Sequence, residues 1–272
     1  MRFARLIGAV GVSALAAACS SGDNLAPPSG QPQEGTRLGV SPSGEVQSTF
    51  KVIKGSGDIT ATITQFRDAL GQPANGGKAG QQSTGRREIN WDGVPATFDN
   101  NNNFPGDFFN TKVKAGAVIA SEGTGLRNSS NDFADLNPGY AAQFEPFSKP
   151  KMFASIGSPL MDLTFRVAGS DTPAAVTGVG LVFSDVDRDG SASIKLFDAK
   201  GRNLGRYFAP IRSDATGLSF VGVVFDAAIV ARVTIAAGEA PIDAGLQDLS
   251  DGGLRDLVVT DNFLFGEPQA LP

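Results

Sequence analysis

The chain has 272 residues, 23 basic and 28 acidic, with 34 glycines, 19 phenylalanines, one cysteine and no histidine. The absence of histidine excludes Ser-His-Asp and Cys-His catalysis and zinc sites built on imidazole. The acidic balance excludes nucleic acid as a partner, because that affinity comes mainly from Lys and Arg on phosphate.

The N-terminus reads as an export signal. Met1-Arg-Phe-Ala-Arg5 is a short basic head, and Leu6 to Ala18 is an apolar, small-residue run. A bilayer span needs about 20 apolar residues, so this run is too short to cross one. It has the anatomy of a signal peptide over residues 1–18. Cys19 follows the small residues, where a lipoprotein takes its diacylglycerol, although Leu15 stands four places before it and the usual pattern puts the large residue three before. The alternative is ordinary cleavage after Ala18, leaving an exported free thiol. Cys19 is the only cysteine, so no intrachain disulfide can form, and acylation would remove a thiol that is a liability in an oxidising compartment. Ser20 and Ser21 follow, without the Asp that retains some lipoproteins at the inner membrane, so the expected location is the outer membrane or cell surface. Cleavage removes Arg2 and Arg5 and leaves 21 basic and 28 acidic residues, a net charge of −7.

Residues 19–46, rich in Ser, Gly, Pro and Gln, are expected to form a flexible tether, because such composition buries too little apolar surface to offset the entropy of ordering it. Residues 47–268 are expected to form a single domain. Within it, Ile59, Ile63, Phe66 and Leu70 fall on one helical face, with Asp58 as N-cap and Gly71 as stop, although three Thr residues in the segment favour strand. Gln72 to Gly85 reads as a loop. Period-two runs follow at Met161, Leu163, Phe165 and Val167, at Val179, Leu181 and Phe183, and at Ile229, Ala231, Val233 and Ile235. A last strand over Asp256 to Phe265 puts Leu257, Val259, Phe263 and Phe265 on one face, and Asp198-Ala-Lys-Gly201 reads as a hairpin turn. The 21 Asp against 7 Glu also favour turns over helices. The expected fold is mainly β, an antiparallel β-sandwich of jelly-roll type with one short N-terminal helix.

Two groups of residues are candidates for a site. Asp185, Asp187 and Asp189 alternate along a tight turn closed by Gly190, a spacing that suits a hard cation such as Ca²⁺. Leu196 stands where an EF-hand needs its bidentate Glu, which rejects that motif; a solvated hairpin turn is the alternative. Asp261 shares its parity with Leu257, Val259, Phe263 and Phe265, and Asp185 shares its parity with Val179, Leu181 and Phe183. Both acids therefore point with core residues and call for a cation or dense hydrogen bonding. The second group surrounds the only tryptophan. Trp91, flanked by Glu88, Asn90 and Asp92, could stack a sugar ring and bond its hydroxyls, or could belong to the core with Ile89. Asp99 to Asp107 could line a polar rim or form a long turn.

Gly85-Arg-Arg-Glu-Ile-Asn-Trp-Asp-Gly-Val-Pro95, with Phe66-Arg67 through Gly71, Phe108-Phe-Asn110, Phe183-Ser-Asp-Val-Asp187, Leu218-Ser-Phe-Val-Gly222 and Asp261-Asn-Phe-Leu-Phe-Gly-Glu-Pro268, resembles a family of uncharacterised exported bacterial proteins. The C-terminal half is more loosely similar to jelly-roll domains of secreted proteins associated with exopolysaccharide. The resemblance implies a β-sandwich and an exported location, and no activity. The leading expectation is therefore a non-enzymatic surface lipoprotein that binds glycan or another envelope component, with calcium as a structural ion. Its alternatives are a polysaccharide hydrolase or lyase working through Glu88 and Asp92 with Arg86 or Arg87, and a purely structural envelope protein.

Overall fold

The computed structural model describes residues 33–36, 48–212 and 217–272. The expected signal peptide and Cys19 lie outside the described residues. Strands are β1 (Gln33–Thr36), β2 (Thr49–Ser56), β3 (Arg86–Ile89), β4 (Ala117–Ala120), β5 (Gly125–Ser129), β6 (Met152–Ile156), β7 (Leu160–Arg166) and β8 (Pro173–Ala175). The rest are β9 (Gly178–Ser184), β10 (Ala192–Phe197), β11 (Asn203–Phe208), β12 (Leu218–Phe225), β13 (Arg232–Ala237), β14 (Val259–Gly266) and β15 (Gln269–Ala270). Helix α1 spans Thr60–Leu70, and two single turns, α2 (Phe108–Thr111) and α3 (Tyr140–Gln143), interrupt later loops.

The strands form two antiparallel sheets, so the mainly β sandwich expected from the sequence is the fold. The first sheet runs β1-β2-β12-β9-β14-β6-β5, with β3 added beside β14. The second runs β11-β10-β13-β7-β8-β15, with β4 added beside β7. Within the stretch expected to be tether, Gln33–Thr36 pairs with β2, so these four residues are a sheet edge.

Alternation builds the space between the sheets. Val179, Leu181 and Phe183 of β9 meet Leu163, Phe165, Ile194, Leu196, Val233 and Ile235 of the second sheet there. Strand β9 is also buried on its other face, because α1 covers it. Ile63, Phe66 and Leu70 pack on Val182, Phe220 and Leu264, so tertiary burial overrides the β preference of the helix threonines. Phe66 lies in a slot left by Gly180 and Gly222, which face each other across β9 and β12. A Cβ at Gly180 would stand 2.7 Å from the Phe66 ring. The helix starts at Thr60, with Asp58 bonding the Thr60 N–H at 3.0 Å, and it ends at Gly71 with φ 99°.

A second patch of the same outer face is covered by irregular chain. Phe133, Tyr140, Phe144 and Ile242 pack on Met152, Ala154, Leu257 and Val259. The outer face of the second sheet is different: along β7 every second residue is partly or fully exposed, and β10 and β13 alternate in the same way along much of their length.

The last strand departs from its expected pattern. Thr260 pairs with Phe183 and Phe263 with Leu181, so one extra residue bulges between them. A bulge reverses which parity faces inward. Val258 therefore joins Phe263 and Phe265 between the sheets, while Leu257 and Val259 belong to the outer cluster. The four residues expected on one face are split between two, and Asp261 lies in the bulge itself. The hairpin at 198–201 forms as expected, with Gly201 at φ 75° and its N–H on the Asp198 carbonyl at 3.0 Å.

Candidate metal centre

Strand β9 ends at Ser184, and Asp185 takes φ 69°, a left-handed conformation that Asp tolerates better than most residues. This turns the chain so that the Asp185 carboxylate is fully buried. Gln143, at the end of α3, donates to its Oδ2. Asp187 follows two residues on. The loop before β14 closes over both: Asp248 accepts the N–H groups of Ser250 and Leu257 at 2.6 Å each, and Asp256 accepts those of Asp187 and Arg188 at 3.1 and 2.8 Å. Two distant Asp-rich turns are thus tied together through their own carboxylates.

Asp185, Asp187 and Asp248 each present an oxygen within 4.8 Å of the others, and together they could hold a metal ion. Asp185 Oδ1, Asp256 Oδ1 and both Asp187 oxygens are buried with no well-formed hydrogen bond. Burial pushes the Asp185 carboxyl up to about 8, against the pull of Gln143, and Asp248, Asp187 and Asp256 push it further in the same direction. Burial, then the facing Asp248 and Asp256, raises Asp187 to about 6. Burial also raises Asp256, against hydrogen bonds from Ser191, Arg188 and Asp187. Facing carboxylates of this kind are relieved by a bound proton or by a cation. An all-oxygen carboxylate set suits a hard ion of the calcium or magnesium class.

Two of the four acids expected to bind metal are in this cluster. Asp189 is exposed and stands outside it. Asp261 is fully buried, as expected, but elsewhere: its oxygens take the Ser148 N–H at 3.0 Å and the Ser148 hydroxyl at 3.3 Å, with help from the Phe147 N–H. Its carboxyl is pushed up to about 8, mainly by burial, with Asp92 adding to the shift. The residues missed were Asp248 and Asp256. Asp248 opens a turn, Asp248-Leu-Ser-Asp-Gly-Gly253, that is rich in Asp and Gly like 185–190, and Asp256 follows it, but nothing local shows that the two turns meet.

The tryptophan group is corrected. Trp91 is 1% exposed and has no face open to a sugar. Its ring stacks on Phe153 at 3.8 Å and meets Phe109 and Phe263 edge-on, and its Nε1–H donates to the Asp261 carbonyl at 2.9 Å. Trp91 has φ 61° beyond the end of β3, which folds the indole into the core. The flanking polar residues are separately engaged. Glu88 takes Arg67 at 3.0 and 2.5 Å and Asn262 at 2.8 Å; Asp92 accepts the Lys151 N–H at 3.1 Å; Asn90 is exposed.

The arginines considered for catalysis turn inward. Arg86 is buried and donates to the Gly71 carbonyl at 3.0 Å. Arg87, with no exposed surface, grips Glu267 bidentately at 2.8 and 2.7 Å and takes the carbonyls of Gly76, Lys78, Gly80 and Lys114. The 72–85 loop is therefore folded around a buried ion pair. Asp99 accepts Lys151 Nζ at 2.9 Å and Asn128 at 2.6 Å, and the 99–103 segment runs along β5. A small cleft lined by Ser155, Ser158, Met161, Pro241 and Ile242 among others has no ionisable lining residue.

Among the described residues no helix is long and apolar enough to cross a membrane. Compared with known proteins, the chain matches no family model, and no curated protein or solved structure matches it significantly.

Proposed function

We propose that this chain is an exported lipoprotein, anchored through Cys19, whose β-sandwich binds glycan or another envelope component without catalysing a reaction and carries calcium as a structural ion. The observation that carries the calcium reading is the buried carboxylate cluster, in which several oxygens have no well-formed hydrogen bond. Asp185, Asp187 and Asp248 are the ligands in this reading, and Asp256 holds the 187–188 backbone in place. An ion there would fasten the turn after β9 to the loop before β14. The lack of histidine and the commitment of Arg86, Arg87 and Glu88 to partners within the fold favour binding over catalysis.

The test is thermal melting of the mature chain carrying Cys19→Ser, in EDTA, in magnesium and in calcium. A ligand that binds only the native state at a hundred times its Kd stabilises by about 2.7 kcal/mol, or several degrees in Tm for a domain of this size. Calcium is expected to give that shift and Asp248→Asn to abolish it. Equal melting in EDTA and calcium would remove the ion from the reading. Membrane fractionation of the wild type against Cys19→Ser checks the anchor.

A further inference from the structure

The two sheets are finished differently on their outer faces. The first is covered by α1 and by the 133–144 and 238–257 segments, while Phe197 and Phe208 on the second belong to no buried cluster. Pairing registers place the outward residues of the second sheet in rows. Arg206, Lys195, Thr234 and Asp162 form one row across β11, β10, β13 and β7; Phe197, Arg232 and Thr164 form the next, and Phe208, Ser193, Ala236 and Leu160 flank the first on its other side.

This face is basic on an acidic protein. Lys195 and Arg206 stand directly opposite each other, an arrangement of like charges that destabilises a sheet unless an anion compensates it. No acid among the described residues pairs with either; Arg206 bonds only the Ser193 hydroxyl, at 3.0 Å. Asp162 is shared between Arg232 and Thr234. The phenylalanines hold the cations in place: Arg232 lies 3.9 Å from the centre of the Phe197 ring, Lys195 lies 5.1 Å from the same ring, and Arg206 lies 4.9 Å from Phe208. Each cation thus lies over the face of a ring. Such a surface offers fixed cations and hydroxyls, and Leu160 at its edge is the one large apolar side chain of these rows that is exposed, short of the broad apolar face that inserts into a lipid interface.

We infer that the open face of the second sheet, centred on Lys195, Arg206 and Arg232, is a docking surface for an acidic, uronate-bearing polysaccharide. This rests on the glycan-binding reading above and gives it a place and a ligand class. Carboxylates along an extended chain would meet the row of cations, and sugar hydroxyls would meet the partly exposed Thr234 and Thr164. Neither Lys195 nor Arg206 touches the acidic cluster or the core.

The experiment measures retention of the mature chain on immobilised hyaluronan, on neutral dextran and on phosphatidylglycerol vesicles, for the wild type and for Lys195→Gln/Arg206→Gln. The expected result is hyaluronan retention that falls with ionic strength. The double variant should weaken it about ten-fold, or roughly 1.4 kcal/mol, with melting unchanged. Hyaluronan binding that the variant leaves intact would overturn the inference, as would retention on the anionic vesicles alone. Retention on dextran alone, equal in both proteins, would sink the sheet-face site while leaving glycan binding standing; retention on neither glycan would sink both.

Discussion

Asp185 and Asp261 are both fully buried aspartates whose carboxyls are pushed up to about 8, yet their surroundings are opposite. Asp261 is met by donors, the Ser148 hydroxyl and the N–H groups of Ser148 and Phe147. Asp185 is met by Gln143 on one oxygen and by other carboxylates on the remaining side. Glu267 gives a third solution, a buried acid with its own guanidinium. Burial of an acid therefore does not distinguish a metal site from a hydrogen-bonded one. What separates them is whether the neighbours are donors, cations or further acids.

The strongest way to break this comparison is to remove the packing that holds Asp261. Trp91→Ala takes away a buried aromatic and the hydrogen bond to the Asp261 carbonyl, so urea denaturation should show a loss of about 5 kcal/mol. A small loss with intact folding would return Trp91 to the list of surface candidates. Next in size, Arg87→Ala strands Glu267 without its cation and should cost about 4 kcal/mol, with the 72–85 loop becoming protease-sensitive.

The calcium shift, about 2.7 kcal/mol at a hundred times Kd, sharpens the contrast between the two aspartates. Asp248→Asn should abolish it, and Asp261→Asn should leave it whole. Loss of the shift in Asp261→Asn would show that the two sites are coupled.

The gentlest test is pH. Asp185, Asp187 and Asp261 all have folded-state values above the usual carboxylate range, so the folded protein holds protons that the unfolded chain has released. Their contribution to stability is complete below about pH 4 and is lost as pH rises through about 6 and then about 8. In EDTA, melting temperature should fall across that window. Calcium should remove the part due to the cluster and leave the part due to Asp261, which Asp261→Asn then removes. A flat profile in EDTA would mean that the carboxylates are solvated.

Much of the fold could be read from local pattern. The helix face at Ile63, Phe66 and Leu70, the alternation of Met161, Leu163 and Phe165, and the turn at 198–201 each depend on spacings of a few residues, which propensity and periodicity report directly. Exclusion of histidine chemistry needed only composition. Half of the candidate centre could also be read this way, because Asp185 and Asp187 combine turn chemistry with the end of an apolar strand.

The rest was decided by tertiary structure, for physical reasons that no local window contains. One extra residue in β14 reversed its parity and undid the reasoning that grouped Asp261 with Leu257, although Asp261 is buried all the same. The positive φ at Trp91 sends the indole inward and so decides between the two readings left open for it, a sugar-stacking surface and the core with Ile89. Asp248 and Asp256 reach Asp185 and Asp187 only because β9 and β14 are neighbours in one sheet, which brings two distant turns to the same end. The sequence by itself determined which residues could be buried and which could turn. The long-range pairing of strands decided which buried charge faces which.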